Sequence, residues 1–211
     1  MRTFWYTNSM KSERYHGILL VIFLAVLVWS AYRPYEYFTW LLEVFPAIIG
    51  VIVLLATRKK FQFTNMVYTL VLFHAIILMI GGHYTYARMP LFDWLRDALV
   101  LNRNYYDRLG HIVQGFVPAM IARELFIRLV VIKGRGWMNF IIVTVCTFVA
   151  VMYEFLEWWV AVIAGSAAVS FLATQGDVWD PQWDMFLAII GAVVALATLS
   201  KWHDRQLRAK K

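Results

Sequence analysis

Long blocks of apolar residues, each about the length of a membrane-spanning helix, constrain this chain more than any other feature. Six can be read, at about 17–32, 38–57, 65–82, 109–132, 137–164 and 183–201. A helix needs about 20 mostly apolar residues to cross the hydrocarbon core of a bilayer. Hydrophobic residues make up 62% of the 211 residues and charged residues only 16%. The sequence therefore predicts an all-α, polytopic transmembrane bundle with six spans, forming a single integral membrane domain over residues 1–211.

Basic residues are divided unequally between the two sets of segments that flank these blocks. One set holds fourteen: Arg2, Lys11, Arg14, Arg58, Lys59, Lys60, Arg128, Lys133, Arg135, Lys201, Arg205, Arg208, Lys210 and Lys211. The opposite set holds five: Arg33, Arg88, Arg96, Arg103 and Arg108. Because positively charged loops stay in the cytoplasm, both termini are predicted to be cytoplasmic. This orientation accounts for the net charge of +7. The lipid bilayer is the expected partner, no nucleic acid is expected, and the oligomeric state is unknown from sequence.

The segment between the third and fourth blocks has the pattern of a short amphipathic helix. Apolar residues recur at helical spacing opposite charged ones: Leu91, Trp94, Leu95, Ala98 and Leu99 against Asp93, Arg96 and Asp97. Such a helix is typical of a segment that lies in the membrane interface. An ordinary ordered loop is the alternative interpretation.

Ionisable residues gather at the predicted outer end of the bundle. Two histidines and six carboxylates lie there: His83, Asp107, His111, Glu154, Glu157, Asp177, Asp180 and Asp184. Ionisable groups in or beside a span cost several kcal/mol unless they are paired or hydrated, so their grouping indicates a shared polar site. Asp107 and His111 are four residues apart and share a helix face, with Gln114 one turn further in. His111, Glu154 and Asp180 are therefore expected to lie in one small cluster.

Glu154 and Glu157 are the least easily explained by structure alone. They lie one helical turn apart in an apolar block, so their charges repel each other. The pair needs a proton, a cation or an arginine from another helix. Asp107 has a structural alternative, in which it caps the fourth helix or pairs with Arg103 or Arg108.

The start of the sixth block also has a structural interpretation. Asp180, Pro181 and Asp184 form a good helix start, with Asp180 as the N-cap residue and a second carboxylate in the first turn. Further along the block, Gly191 and Ala195 are four residues apart and permit another helix to approach closely. Capping by Asp180 is compatible with a role in the polar site.

Other polar residues within the blocks receive structural interpretations. Arg123 is expected to extend to the interface, and Glu124 to pair with Arg128 at i+4. Glu43 is expected to be a hydrated interfacial carboxylate. His74, near the middle of the third block, is expected to be a neutral histidine bonded to another helix.

Five motifs together resemble the YjdF family of bacterial inner-membrane proteins. They are GHYTY at 82–86, NYYDRLGH at 104–111, QGF at 114–116, YEFLEW at 153–158 and GDVWDPQWDM at 176–185. The resemblance covers nearly the whole chain and implies a multi-pass location in the bacterial inner membrane. It implies no biochemical activity, because the family has no established one to transfer.

A more distant likeness, over about the last half of the chain, is to the VanZ-like membrane proteins. There an Asp-Lys-x-x-His opens one helix, a Glu lies in the next, and an Asp-x-x-x-Asn precedes a helix of small residues. Asp107 to His111, Glu154, and Asp180 to Asp184 follow that order, with Arg in place of Lys and Asp184 in place of Asn. Because that group is associated with glycopeptide-antibiotic resistance, the likeness implies a ligand at the cell envelope.

The polar residues divide into three sets by chemistry. Candidate acid, base or nucleophile groups are Asp107, His111, Glu154 and Glu157. Candidate metal ligands are His83, His111, Glu154 and Asp184, a donor set that suits a divalent metal ion. Candidate substrate contacts are Arg88, Arg103, Arg108, Gln114, Asp177 and Asp180, with the arginines suited to an anionic group.

Three classes of function fit these sets. The first is a site that binds or processes an anionic or lipid-linked envelope molecule, with metal-assisted catalysis as one form of it. The second is a proton-coupled transporter that uses the carboxylates and histidines as a relay. The third is a membrane scaffold without turnover. The sequence alone does not decide whether the protein is an enzyme.

Overall fold

A computed structural model describes residues 2–132 and 134–210, with side chains described for 13–132, 134–165 and 168–210. The long helices are α1 (Arg2–Ala31), α2 (Tyr37–Thr57), α3 (Asn65–Tyr84), α5 (Tyr106–Arg128), α6 (Arg135–Ala164) and α8 (Asp180–Ala209). Shorter elements are α4 (Pro90–Leu99), α7 (Val169–Leu172) and two 3-10 turns, Tyr86–Arg88 and Gly165–Ala168. The described ranges contain no strand, which confirms the all-α prediction. Lys133 and Lys211, which enter the charge count, lie outside them.

Each predicted block lies within one long helix, apart from Tyr32 at the end of the first block and residues 129–132 at the end of the fourth. That helix, α5, begins at Tyr106 and ends at Arg128, because Val130 takes a left-handed backbone conformation with φ of 52°. Five of the six helices are long and apolar enough to cross a membrane, by length and composition: α1 from Glu13, and α2, α3, α6 and α8. The exception is α5, which carries several buried charged residues. Its role as a span therefore remains a prediction.

Helix α5 lies at the centre of the bundle and packs against α3, α6 and α8. Helices α1 and α2 pack on the far side, against α3. The closest approach is between α5 and α8, which run parallel. A Cβ atom added at Gly115 would overlap the Ala188 carbonyl, and one added at Gly191 would overlap the Ile112 carbonyl. The predicted close approach at Gly191 is confirmed, and Ala195 is buried in the same core.

Arg123 lies near the C-terminal ends of α5 and α8, and the prediction that its side chain extends to the interface is wrong. Its side chain is only 3% exposed, and its guanidinium contacts His203 Nδ1 at 2.9 Å and Asp204 Oδ1 at 2.6 Å. Helix α8 continues past the predicted end of the sixth block, which brings both partners beside α5. Glu124 pairs with Arg128 at 3.0 Å, as predicted, and also contacts His203 Nε2 at 3.0 Å.

The predicted amphipathic helix is confirmed as α4. Arg96 donates to Asp93 at 2.8 Å and to Asp97 at 2.9 Å, which holds the charged face together. On the other face, Leu91 and Trp94 are exposed. An exposed apolar face on a short helix beside a bundle suits contact with lipid headgroups and the upper acyl region. The interfacial location of α4 stays a prediction.

Candidate functional site

At the end of the bundle where α5 and α8 begin, two arginines form ion pairs with the surrounding aspartates. They are Arg103 and Arg108. Arg103, in the loop before α5, donates to Asp180 Oδ1 at 2.5 Å, and lies 3.4 Å from Asp107 Oδ2 and 3.4 Å from Asp177 Oδ2. Arg108, in the first turn of α5, donates to the same Asp180 oxygen at 2.6 Å. These contacts confirm that Asp107 pairs with arginine. It does not cap α5, whose N-cap residue is Tyr105.

Arg108 connects the first turn of α8 to the loop that precedes it. It contacts Asp177 Oδ2 at 3.0 Å and also donates to Asp184 Oδ1. The predicted N-cap role of Asp180 is therefore wrong: the cap residue is Trp179, without a side-chain cap bond, and the Asp180 carboxylate faces the two arginines. Two guanidinium groups nearby favour ion pairing over capping, since charge-assisted hydrogen bonds are the stronger type.

The two loops that bring these groups together are joined by backbone hydrogen bonds to side-chain amides. The Gln175 amide accepts from Asn104 N at 2.9 Å and donates to Asn104 O at 2.9 Å. The Asn104 amide in turn donates to Met89 O at 3.0 Å. These amides fix the loop before α5 against the loop before α8. They were not identified from the sequence, because isolated amides in loops give no periodic signal.

His111 lies between the arginine cluster and helix α6. Its Nε2 atom is 3.5 Å from Asp107 Oδ1 and 3.7 Å from Asp184 Oδ1. The Nδ1 atom is buried and has no hydrogen-bond partner among the described residues. An imidazole with a buried free nitrogen lacks part of its hydrogen bonding, and a ligand that bound there would supply it.

Glu154 and Glu157 approach His111 from α6. One donor atom from each of these three residues lies within 4.8 Å of the others, and the same is true of Asp107, His111 and Asp184. Glu154 is 8% exposed, and its Oε1 atom has no hydrogen-bond partner in the described part of the chain. The two triads share His111 and offer carboxylate oxygens with one imidazole nitrogen, which is a suitable donor set for a divalent cation.

The cluster carries more negative than positive groups. Six carboxylates face two guanidinium groups and one imidazole: Asp107, Glu154, Glu157, Asp177, Asp180 and Asp184 against Arg103, Arg108 and His111. Buried charge is costly unless it is compensated. Even with the imidazole charged, the described cluster is short of positive charge. A cation or additional protons would restore the balance.

A cavity of about 140 Å³ adjoins His111 on the side of α2 and α3. Its wall includes Glu43 and His74, and both sequence interpretations of these residues are corrected. Glu43 is only 4% exposed and accepts from the Tyr153 hydroxyl at 3.3 Å, so it is buried in the bundle and is not a hydrated carboxylate. Among the side chains that the structure describes, none is a hydrogen-bond partner of His74 Nε2, so the predicted bond to another helix is not found there. Gln114 also lines the cavity, one turn below His111, as its spacing indicates.

Tyr86 closes the cavity and is held between two glycines. Its ring occupies the space that a Cβ atom would fill at Gly81 and at Gly110. Burial raises the pKa of the Tyr86 phenol well above its usual value, and the nearby Glu43 raises it further. The phenol therefore stays protonated and can act as a hydrogen-bond donor towards the cavity.

Two predicted site residues lie elsewhere. The His83 Nδ1 atom is 3.0 Å from Ser30 O, and the ring stacks on Trp29 with centroids 4.6 Å apart, because the last turn of α3 faces α1. Arg88 lies over the Tyr35 ring at 4.3 Å. Of the predicted metal ligands, the structure places His111 in one donor group with Asp184 and in a second with Glu154, and His83 in neither. It brings Arg103 and Arg108 together without Arg88.

Comparison with known proteins identifies the family. Residues 15–205 match the family described as predicted membrane protein, DUF2238. The chain belongs to this family. It is also 45% identical over 183 residues to the inner membrane protein YjdF of Escherichia coli (strain K12), a match that covers 87% of this chain and 88% of the relative. No solved structure matches the chain.

These matches confirm the YjdF resemblance and the location. The chain is a multi-pass protein of the bacterial inner membrane. They lend no support to the likeness to VanZ-like proteins, which stays a prediction. Neither the family description nor the name of the relative states an activity, so function has to be inferred from the polar cluster itself.

Proposed function

We propose that the cluster around His111 is a divalent-cation site at the periplasmic end of the bundle, and that it binds or processes an anionic envelope molecule. The observation that carries the proposal is a group of buried metal-ligating atoms whose negative charge is not balanced by the nearby arginines and histidine. Glu154 Oε1 and His111 Nδ1 are buried and have no hydrogen-bond partner among the described residues, and they lie beside a surplus of carboxylates. A divalent cation would compensate the charge and use both free donors.

Some residues of the cluster would bind the metal ion directly, and others would orient those ligands. His111, Glu154 and Glu157 are the ligands, because Glu154 and His111 offer unused donor atoms. Asp107 and Asp184 are already engaged by arginines and orient the imidazole. Second-shell carboxylates of this kind fix ring orientation in metal sites.

The cavity is where the ligand group would enter. It reaches His111 and Glu157, with Gln114 and Tyr86 on its wall as hydrogen-bonding groups. A bound cation would polarise a phosphoryl or carboxyl oxygen placed there. Arg103 and Arg108 hold the carboxylates of α8 in place, and a phosphate would have to displace one of those carboxylates to reach a guanidinium.

Metal content tests the proposal directly. The detergent-purified protein is expected to hold about one equivalent of a divalent metal by mass spectrometry, lost on chelation. In E154Q the metal affinity should fall by roughly 10-fold or more, since loss of one carboxylate ligand typically costs at least what loss of an outer-shell partner costs. Asp97→Asn is the matched control, because Asp97 is an exposed carboxylate on α4 that pairs with Arg96.

Two outcomes would count against the cation site. One is purified protein free of metal that also fails to take up Mn²⁺, Zn²⁺ or Mg²⁺ on titration. The other is equal metal content in E154Q, D97N and the unmodified chain, which would place the ion elsewhere.

A proton relay is a second candidate, favoured by one observation. The cavity continues from His111 to His74 near the middle of α3, and to Glu43 on α2. Ionisable groups at different depths are typical of proton pathways. Proton-gradient-dependent uptake in vesicles, by a protein that holds no metal, would favour the relay over the cation site.

The periplasmic location rests on the orientation of the bundle. We expect six spans with both termini in the cytoplasm, α5 being shielded from lipid by α3, α6 and α8. A reporter enzyme active only in the periplasm should be silent when fused after Lys211 and active when inserted near Met89. Activity at Lys211 with silence at Met89 would reverse the orientation and move the His111 cluster to the cytoplasmic side.

A further inference from the structure

A second cavity lies between α1, α2 and α3, far from the His111 cluster. Helices α1 and α2 both pack on α3 and leave a groove of about 350 Å³ between them. That volume is within the range of small-molecule sites, roughly 300–1,000 Å³. The two sites share no lining residue. The groove therefore stands independently of the proposed cation site.

The groove has an apolar body and a polar mouth. Leu20 and Phe23 of α1, Val51 and Leu54 of α2, and Val71 and Leu72 of α3 form its body. Its mouth holds Glu13 and His16 of α1 and Arg58, which directly follows α2. The ten residue steps from Glu13 to Phe23 correspond to ~15 Å along a helix. That is about half of the ~30 Å hydrocarbon core, the depth of one leaflet.

The mouth carries both signs of charge. Glu13 offers a carboxylate and Arg58 a guanidinium at the same end of the groove. His16 Nε2 is 3.1 Å from Asn65 Oδ1 and so donates to it, which leaves Nδ1 as an acceptor, and Nδ1 has no partner among the described residues. An ammonium group would find acceptors at Glu13 and His16, and a phosphate would find a donor at Arg58.

We infer that the groove is a specific site for one phospholipid whose headgroup carries both an amine and a phosphate. One acyl chain lies between α1 and α2, with the phosphate at Arg58 and the ammonium at Glu13 and His16. An anionic lipid without an amine would meet the Glu13 carboxylate unfavourably. A lipid bound loosely around the bundle would show no such headgroup preference.

Gly17 offers a way to block the groove without disturbing the helices. It lines the groove, and a Cβ atom added there meets no atom within 4 Å. Gly50 on α2 is equally open but is not among the groove residues, so it supplies the matched control. Both positions are helical with ordinary backbone angles, and a leucine there favours the helix.

The experiment measures phospholipid retained by the full-length protein after exchange into detergent and native mass spectrometry. We expect one phosphatidylethanolamine per chain in the unmodified protein and in G50L. G17L should lower its occupancy by about 10-fold, which corresponds to ~1.4 kcal/mol. Equal retention in G17L and G50L, or no retained lipid in any of them, would overturn the site.

The headgroup assignment is tested by reconstitution in nanodiscs of equal phosphatidylethanolamine and phosphatidylglycerol. The unmodified protein should retain the amine-bearing lipid preferentially. Glu13→Gln should abolish that preference, whereas Arg58→Gln should weaken the retention of both lipids. Preferential retention of phosphatidylglycerol by the unmodified protein would overturn the assignment of the amine.

Discussion

Replacement of Arg108 by methionine should lower the free energy of unfolding by about 3–5 kcal/mol, the cost of removing one partner from a buried ionic network. The guanidinium contacts Asp177, Asp180 and Asp184, and its side chain is 9% exposed. Methionine preserves much of the volume but leaves these carboxylates facing one another, with Arg103 as the remaining guanidinium and His111 beside Asp184. Unfolding in detergent, followed by tryptophan fluorescence, measures the effect.

The matched control is Arg96→Met on α4. Arg96 also pairs with two aspartates, but its side chain is about a third exposed, and surface pairs contribute little. The melting temperature of R96M should stay close to that of the unmodified chain. R108M should recover part of its stability when Asp184 is also changed to Asn, because one unpaired charge is removed. An R108M protein as stable as R96M would show that the network is not what holds α5 and α8 together at this end.

The helices were predictable because they depend on composition. Long apolar blocks specify where helices form, and all six predicted blocks lie in long helices apart from Tyr32, after the end of α1, and residues 129–132, after the end of α5. The ends were less predictable, since they depend on local turns and on charge. Helix α8 continues to Ala209 through a charged segment, because His203 and Asp204 meet α5 there. A hydropathy pattern has no means of indicating such a contact.

The sequence predicted which residues form the polar cluster better than it predicted how their side chains are arranged. Depth in the membrane placed Asp107, His111 and Glu154 at one height, and the structure places them in one cluster. The rotation of each helix about its own axis decides which side chains at that height face the cluster. His83 has the right depth but faces α1, whereas Glu43, read as interfacial, faces the cavity.

The arginines illustrate the same limit. Arg103 and Arg108 were read as contacts for an anionic ligand, because planar guanidinium groups suit phosphates. The structure places four aspartates around them, so the protein itself supplies the anions. In the sequence, the only sign of these ion pairs is an excess of acidic residues near the same end of the bundle. Which aspartate pairs with which arginine depends on how α5 packs against α8.

Replacement of Gly191 by alanine should be, together with Gly115→Ala, among the most damaging additions of a single methyl group in the part of the chain that the structure describes. The new Cβ atom would overlap the carbonyl of Ile112, which is helical backbone and cannot move alone. Helices α5 and α8 would have to separate along their length. Overpacking of this kind costs about 1–3 kcal/mol and sometimes more. A melting temperature lower by about 5–10 °C is expected for ~3 kcal/mol in a chain of this size.

The consequence of that separation should reach both ends of the α5–α8 pair. Arg108 with Asp184 at one end, and Glu124 with His203 at the other, depend on the same close approach. Metal affinity should therefore fall together with stability in G191A, although Gly191 lies seven residues beyond Asp184 on α8. Gly50→Ala is the control, because its Cβ meets open space and alanine favours the helix, so its melting temperature should hold or rise. Equal melting temperatures for G191A and G50A would mean that α5 and α8 are not in backbone contact at Gly191.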